Sequence, residues 1–237
     1  MIDLHSHVLP YVDDGAKDES MSIEMLLSAK AQGVDVVAAT PHFIPKSKDY
    51  VDTFLEKRNS GYAKLEAAMS ERNDLPKIVL GAEVNLCKDI SDFPNLQSLC
   101  YENTNYILLE LSDNGNASEV AEWIYNITIK GLRPVIAHVD RYPDYRDVMD
   151  ELSHLDVVYQ VNAARFLTMS DRGLLKKIFR NHNKFVVSTD MHNITTRVCN
   201  MEQAQKIALK KFPAMTKMLF GGGAEAILGN SSFPAFD

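Results

Sequence analysis

The chain has 237 residues, 46% of them hydrophobic, and a formal net charge of −7. That length suits one large domain of α/β-barrel size, or two small ones, and the composition allows a sizeable core. No stretch of about 18 or more residues is continuously apolar, which argues against a membrane span. No basic-then-apolar leader opens the chain, so a signal peptide is not expected. No Lys/Arg-rich block or stripe offers a face to nucleic acid. The three cysteines, Cys87, Cys100 and Cys199, are far apart and odd in number. They read as reduced thiols of a cytoplasmic protein rather than a disulfide framework.

Along the chain, short β-branched apolar runs alternate with helical stretches. Seven runs read as strands: 1–5, 34–42, 77–84, 105–111, 133–139, 157–163 and 184–192. Near-continuous Val/Ile/Leu runs are expected of parallel strands covered on both faces. Between them, residues 20–33, 48–72, 116–131, 169–182 and 200–212 read as helices. Gly33 and Gly131 are placed to end two of these helices. Alternation of this kind predicts βα units and a parallel sheet. Seven units over about 190 residues suit a small distorted (β/α)7 barrel, TIM-like, better than a dinucleotide fold, whose glycine fingerprint is missing. The whole of 1–237 is expected to be one domain. The glycine triplet 221–223 lacks the strand and the Lys-Ser/Thr of a phosphate loop, and is expected to be a turn between two terminal helices.

In an α/β barrel the C-terminal strand ends form the active-site face. His5 and His7 end the first predicted strand, His42 the second and His192 the last, while His138 lies near the end of the fifth. Only His154 and His182 fall elsewhere. Glu83, Glu110 and Asp190 repeat the pattern within apolar runs, where a carboxylate is costly unless paired or metal-bound. His5 and His7 are two apart, as are Asp190 and His192, so each pair shares a strand face. First and last strands are neighbours in a closed barrel, so the two pairs should converge. Nitrogen and oxygen ligands without thiolate favour Mn²⁺, Zn²⁺ or Fe²⁺. Asp13 and Asp14 follow in the first loop, and residue chemistry alone does not choose between them.

These residues resemble the polymerase and histidinol phosphatase (PHP) family. Within it, "MIDLHSHVLPYVDDG", "ATPHF", "GAEV", "LLEL", "AHVDRY" and "STDMHN" are most similar to the bacterial protein-tyrosine phosphatases of capsular and exopolysaccharide operons. The resemblance covers nearly the full chain. It implies the PHP fold and three divalent ions, with Mn²⁺ first and Zn²⁺ or Fe²⁺ as alternatives. It implies one site of His5, His7, Glu83 and Asp190. A second would take Glu83 as bridge with Glu110 and His138, and a third Asp14, His42 and His192. Arg141 and Arg197 match phosphate-contacting arginines, and Asp14 joins them as a catalytic group, with Asp13 or Asp14 as a proton source.

The implied activity is metal-assisted hydrolysis of phosphotyrosine. The implied partner is a phosphorylated bacterial tyrosine kinase with a Tyr-rich C-terminal tail that controls capsule or exopolysaccharide synthesis. Metal ions would also let an acidic protein attract an anionic substrate. The rival is a small-molecule phosphomonoesterase such as histidinol phosphatase. A metal nuclease should show a basic channel, which the charge opposes. A cysteine phosphatase needs an Arg six residues after its Cys, and positions 93, 106 and 205 are Phe, Tyr and Gln.

Overall fold

The computed structural model describes residues 1–112, 116–142, 145–180, 182 and 184–234. The elements run β1 (Ile2–Ser6), α1 (Glu19–Ala31), β2 (Val36–Ala39), β3 (His42–Phe43), α2 (Tyr50–Met69), β4 (Lys77–Leu80), β5 (Glu83–Leu86), β6 (Tyr106–Leu111) and α3 (Ala117–Ile129). They continue with β7 (Arg133–Ile136), α4 (Tyr145–Glu151), β8 (Val158–Asn162), α5 (Met169–Ile178), β9 (Phe185–Ser188), α6 (Met201–Lys211), α7 (Pro213–Lys217) and α8 (Gly223–Leu228). The predicted helices appear, and Gly33 and Gly131 follow α1 and α3 with φ of +78° and +84°. Position 181 of the predicted 169–182 helix lies outside the described residues, as do 235–237 of the terminal segment.

All strand pairs are parallel, as the apolar runs predicted. The fold is α/β with two sheets, ordered β1-β2-β4 and β3-β5-β6-β7-β8-β9. Two of the seven predicted strands are broken. Thr40–Pro41 separates β2 from β3, and Gly81–Ala82 separates β4 from β5. Proline has no N–H to donate to the ladder. Single bonds carry across the breaks, Gly81 N–H to the Ala39 carbonyl (3.0 Å) and Glu83 N–H to the Pro41 carbonyl (3.1 Å). The expected closed seven-stranded barrel is therefore not recorded as one continuous ladder. Between β1 and the chain after β9 the link is one isolated parallel bridge, Ser6 to Met191.

Core packing follows the two-residue period of the strands. On β6, Ile107, Leu109 and Leu111 enter the large cluster beneath the helices. Tyr106 and Leu108 enter a second, smaller cluster with Leu4, Val135, Val158 and Val186. Glu110 has the parity of Tyr106 and Leu108, and Gln160 that of Val158.

The glycine triplet is not the expected turn. Helix α7 runs through a π-helical turn, Met218–Gly222, straight into α8. A Cβ on Gly223 would lie 2.7 Å from the Phe233 ring and 2.9 Å from Val186. Close approach of α8 to β9, rather than chain reversal, explains a glycine there. No described helix is long and apolar enough to cross a membrane.

Candidate metal centre

Strand β1 is not regular where it delivers its histidines. Its register slips between Asp3 and Ser6, and a break in the ladder of this kind re-aims side chains. Side chains replace missing ladder partners: Leu4 N–H donates to Ser188 Oγ (3.1 Å), His5 N–H to Asp3 Oδ1 (3.3 Å) and Ser6 N–H to Thr40 Oγ1 (3.1 Å). Beyond the strand ends, His7 N–H donates to the Met191 carbonyl and Asp190 N–H to the His5 carbonyl, both 2.9 Å. Those two bonds bring the first and last predicted pairs together, as expected, although both Asp190 and His192 lie past the end of β9.

All nine predicted ligands gather at one place. His5, His7, Glu83 and Asp190 form one set with facing ligand atoms; His7, Asp14, His42 and His192 form another; His42, Glu83 and Glu110 form a third. Atoms within a set lie within 4.8 Å of one another. The grouping differs from expectation in detail. His7 joins the set of Asp14, and His42 rather than His138 completes the set of Glu110. His138 is adjacent, with Nε2 2.8 Å from Glu83 Oε1 and 3.6 Å from Glu110 Oε1.

The set centred on β1 is crowded with acceptors. His5 Nε2 and His7 Nε2 are 3.3 Å apart. Each lies 3.2 Å from Glu83 Oε2 and 3.5 Å from Asp190 Oδ1. His7 Nδ1 is 2.6 Å from the Asp13 carboxylate. His192 Nδ1 is 3.0 Å from the Asp190 backbone carbonyl, which can only accept. Both Nδ1 atoms therefore carry the proton and leave Nε2 a lone pair. Glu83 Oε2, Asp190 Oδ1 and His192 Nε2 are buried without a hydrogen-bond partner. Buried lone pairs turned on one another are costly unless a proton or cation stands between them. The residues fit divalent cations held by nitrogen and oxygen.

The electrostatics agree. Burial opposes ionisation of Glu83, but His5, His138 and His42 hold it well below the usual carboxylate range. Burial likewise opposes ionisation of Asp190, and His5 and His7 pull it far down. His5 and His7 are pushed up by carboxylates despite burial. His192 is lowered to about 4 by burial, with the His7 and Arg197 charges adding to it.

Asp13 and Asp14 take different positions. Asp13 accepts from His7 Nδ1, from His42 N–H (3.0 Å) and from Gly15 N–H (3.0 Å). These bonds overcome its burial and lower it to about 2. Asp14 points outward, with Oδ1 3.4 Å from both His42 Nε2 and His192 Nε2. Gly15 is required by close approach, since a Cβ would lie 2.1 Å from the His7 carbonyl oxygen.

Arg141 and Arg197 stand at the mouth. Their guanidinium groups approach Asp190 Oδ2 at 3.4 and 2.5 Å, the oxygen that faces away from the histidine pair. Asn193 Oδ1 accepts from the backbone of Thr195, Thr196 and Arg197 and shapes the loop carrying Arg197. A cavity of about 460 Å³ opens beside the centre, lined by Asp14, Lys17, Met21, His192 and Ile194 among others. His154 is exposed and His182 packs edge-on against Tyr159, away from the centre.

Residues 1–229 match the family described as "Capsular polysaccharide synthesis, CpsB/CapC". The chain belongs to the CpsB/CapC family. It is similar to the tyrosine-protein phosphatase YwqE of Bacillus subtilis, 30% identical over 98% of this chain and 93% of YwqE. Tyrosine-protein phosphatase CpsB of Streptococcus agalactiae is 25% identical over 97% of this chain and 99% of CpsB. A solved structure from work on YwqE and on CpsB of Streptococcus pneumoniae, described as unique metal-dependent tyrosine phosphatases, matches with TM-score 0.83 and 25% identity. That match covers 99% of this chain and 97% of the solved one.

Several residues that shape this CpsB/CapC centre were not singled out from sequence. Asp3 is fully buried and accepts from Thr189 N–H (2.9 Å) and Thr189 Oγ1 (2.5 Å), locking the segment before Asp190. Burial raises Asp3 to about 6 despite those bonds. Asn85 donates to Glu110 Oε2 (3.0 Å). Gln160, fully buried on β8, contacts His5. The signal was available: each is a polar residue in or beside an apolar run, as Glu83 and Glu110 are.

Proposed function

We propose that this chain is a metal-dependent protein-tyrosine phosphatase. The observation that carries the reading is the convergence of His5, His7, Glu83 and Asp190, whose acceptor atoms face one another with cationic arginines at the rim. The nine residues His5, His7, Asp14, His42, Glu83, Glu110, His138, Asp190 and His192 are the proposed ligands. We assign three divalent ions to them, Mn²⁺ in the first instance, with Glu83 shared between sets. Bound there, such ions supply positive charge to a phosphoryl group and lower the pKa of water to about 7.

The chain's own groups do the rest. Arg141 and Arg197 turn from the outer oxygen of Asp190 to grip the phosphate, a geometry that guanidinium groups suit. Asp13, ionised at neutral pH and bound to three donors, holds His7 and the turn before His42 rather than giving a proton. Asp14 faces the mouth as ligand and as the carboxylate nearest the substrate. A phenolate leaving group, with a pKa of about 10, needs less protonation than an alkoxide. Residues 1–237 act as one cytoplasmic domain, its two sheets drawn into a distorted seven-stranded barrel by the Ser6–Met191 contact. The substrate in this reading is the phosphorylated, Tyr-rich C-terminal tail of a bacterial tyrosine kinase in capsule or exopolysaccharide synthesis. The test is kcat/KM of the Mn²⁺-loaded enzyme for a phosphotyrosine peptide and for histidinol phosphate. The peptide should win; preference for histidinol phosphate would assign the chain to small-metabolite hydrolysis instead.

A further inference from the structure

Strand β8 brings no proposed ligand to the centre, yet it points one fully buried amide into it. Gln160 Oε1 lies 2.6 Å from the backbone N–H of His138 and 3.1 Å from His5 Nδ1. Its Nε2 donates to Asn162 Oδ1 at 2.9 Å. The Asn162 backbone N–H in turn donates to Asp140 Oδ1 (2.8 Å), and Asp140 Oδ2 accepts from Arg165 Nε (2.8 Å).

The orientation of this amide follows from its partners. A backbone N–H can only donate, so the atom facing His138 must be the carbonyl oxygen. The opposite orientation would set two donors against each other at 2.6 Å. Once the oxygen is fixed, His5 Nδ1 must donate to it. His5 then holds its lone pair on Nε2, the atom facing His7, Glu83 and Asp190. The same oxygen steadies His138, whose backbone sits in the left-handed region at φ +31°, a conformation rare for a non-glycine residue and maintained by surrounding bonds.

We infer that Gln160 is a positioning residue that sets the tautomer of His5 and couples it to His138, so that one amide oxygen orients a member of the β1-centred set and the histidine beside Glu83 and Glu110. The inference rests on the reading of His5 as a ligand. Residues of this kind affect metal affinity without touching the ion.

The probe is ¹¹³Cd²⁺ in protein carrying ¹⁵N-histidine. In the wild type, cadmium should couple to His5 Nε2, and His5 Nδ1–H should be seen as a slowly exchanging proton. In Gln160→Met the Nδ1 proton should exchange freely. Zn²⁺ affinity, measured by chelator competition, should fall about 10- to 100-fold. Gln160→Glu keeps an acceptor oxygen and should recover most of that loss. Coupling of cadmium to His5 Nδ1 in the wild type would overturn the assignment whatever the variants do. So would a Gln160→Met protein that folds, keeps the slow proton and binds Zn²⁺ as tightly as wild type. Cadmium that couples to no histidine would overturn the metal reading as well, which separates the two failures.

Discussion

Asp13 and Asp14 are adjacent yet have different tasks, and their exposure shows why. Asp13 is tied to His7, His42 and Gly15, whereas the Asp14 side chain is 66% exposed and faces two histidine Nε2 atoms. Asp14→Ala should leave thermal stability within about 0.5 kcal/mol of wild type, as surface changes do, while lowering the number of ions bound per chain. Asp13→Ala frees His7 Nδ1 and should weaken metal binding about 10- to 100-fold. Metal analysis beside thermal denaturation checks both, and equal losses in the two variants would refute the division. Arg141 is half-exposed, and its guanidinium approaches the outer oxygen of Asp190. Arg141→Ala should keep its metal and lose about 10²-fold or more in kcat, the cost typical of removing one charge-stabilising donor. At this scale the convergence of the nine proposed ligands was legible because charged residues in apolar runs are expensive. Which aspartate faces the His42 and His192 Nε2 atoms was not, because that depends on where Gly15 presses the loop against His7. Gln160 escaped notice because an uncharged amide in a strand has a modest cost once hydrogen-bonded.

Strands β1, β3, β5 and β6 carry four of the proposed ligands, and the loop from Pro10 to Gly15 and the segment after β9 bring three more to them. Tyr11 at φ +65° and Asp190 at φ +56° are both non-glycine residues in the left-handed region. Gly15→Ala forces a Cβ into the His7 backbone, so the loop must move. Overpacking of this kind costs about 1–3 kcal/mol. The variant should unfold at lower temperature and bind less metal, and a crystal structure should show Asp13 displaced from His7. A variant with native metal content and unchanged Tm would contradict the close packing. Element order and type were readable from the period of apolar residues. The breaks at Pro41 and Gly81 and the slip at β1 were not, because they depend on which side chains replace ladder partners. The glycine triplet was misread because tertiary packing overrides helix propensity: α8 approaches β9 closely at Gly223, and that approach is invisible locally.

At the level of the whole molecule, a chain of charge −7 must attract a phosphate dianion. The three divalent ions proposed above would reverse the sign of a centre whose proposed ligands include four carboxylates and concentrate positive charge at one mouth. The order of parallel strands anticipated where that mouth lies, since the proposed ligands lie on or just beyond strands at one end of the sheets, but ladder closure depends on one bridge and was not legible. Burial pushes the Cys100 and Cys199 thiols up to about 12, and none of the three cysteines has the arginine a thiol phosphatase requires. The central claim is therefore tested most directly by phosphotyrosine hydrolysis with thiol-alkylated protein, measured before chelation, after chelation and after adding back Mn²⁺. Alkylation should leave the rate unchanged, chelation should abolish it and Mn²⁺ should restore it; full activity from metal-free protein would contradict the account.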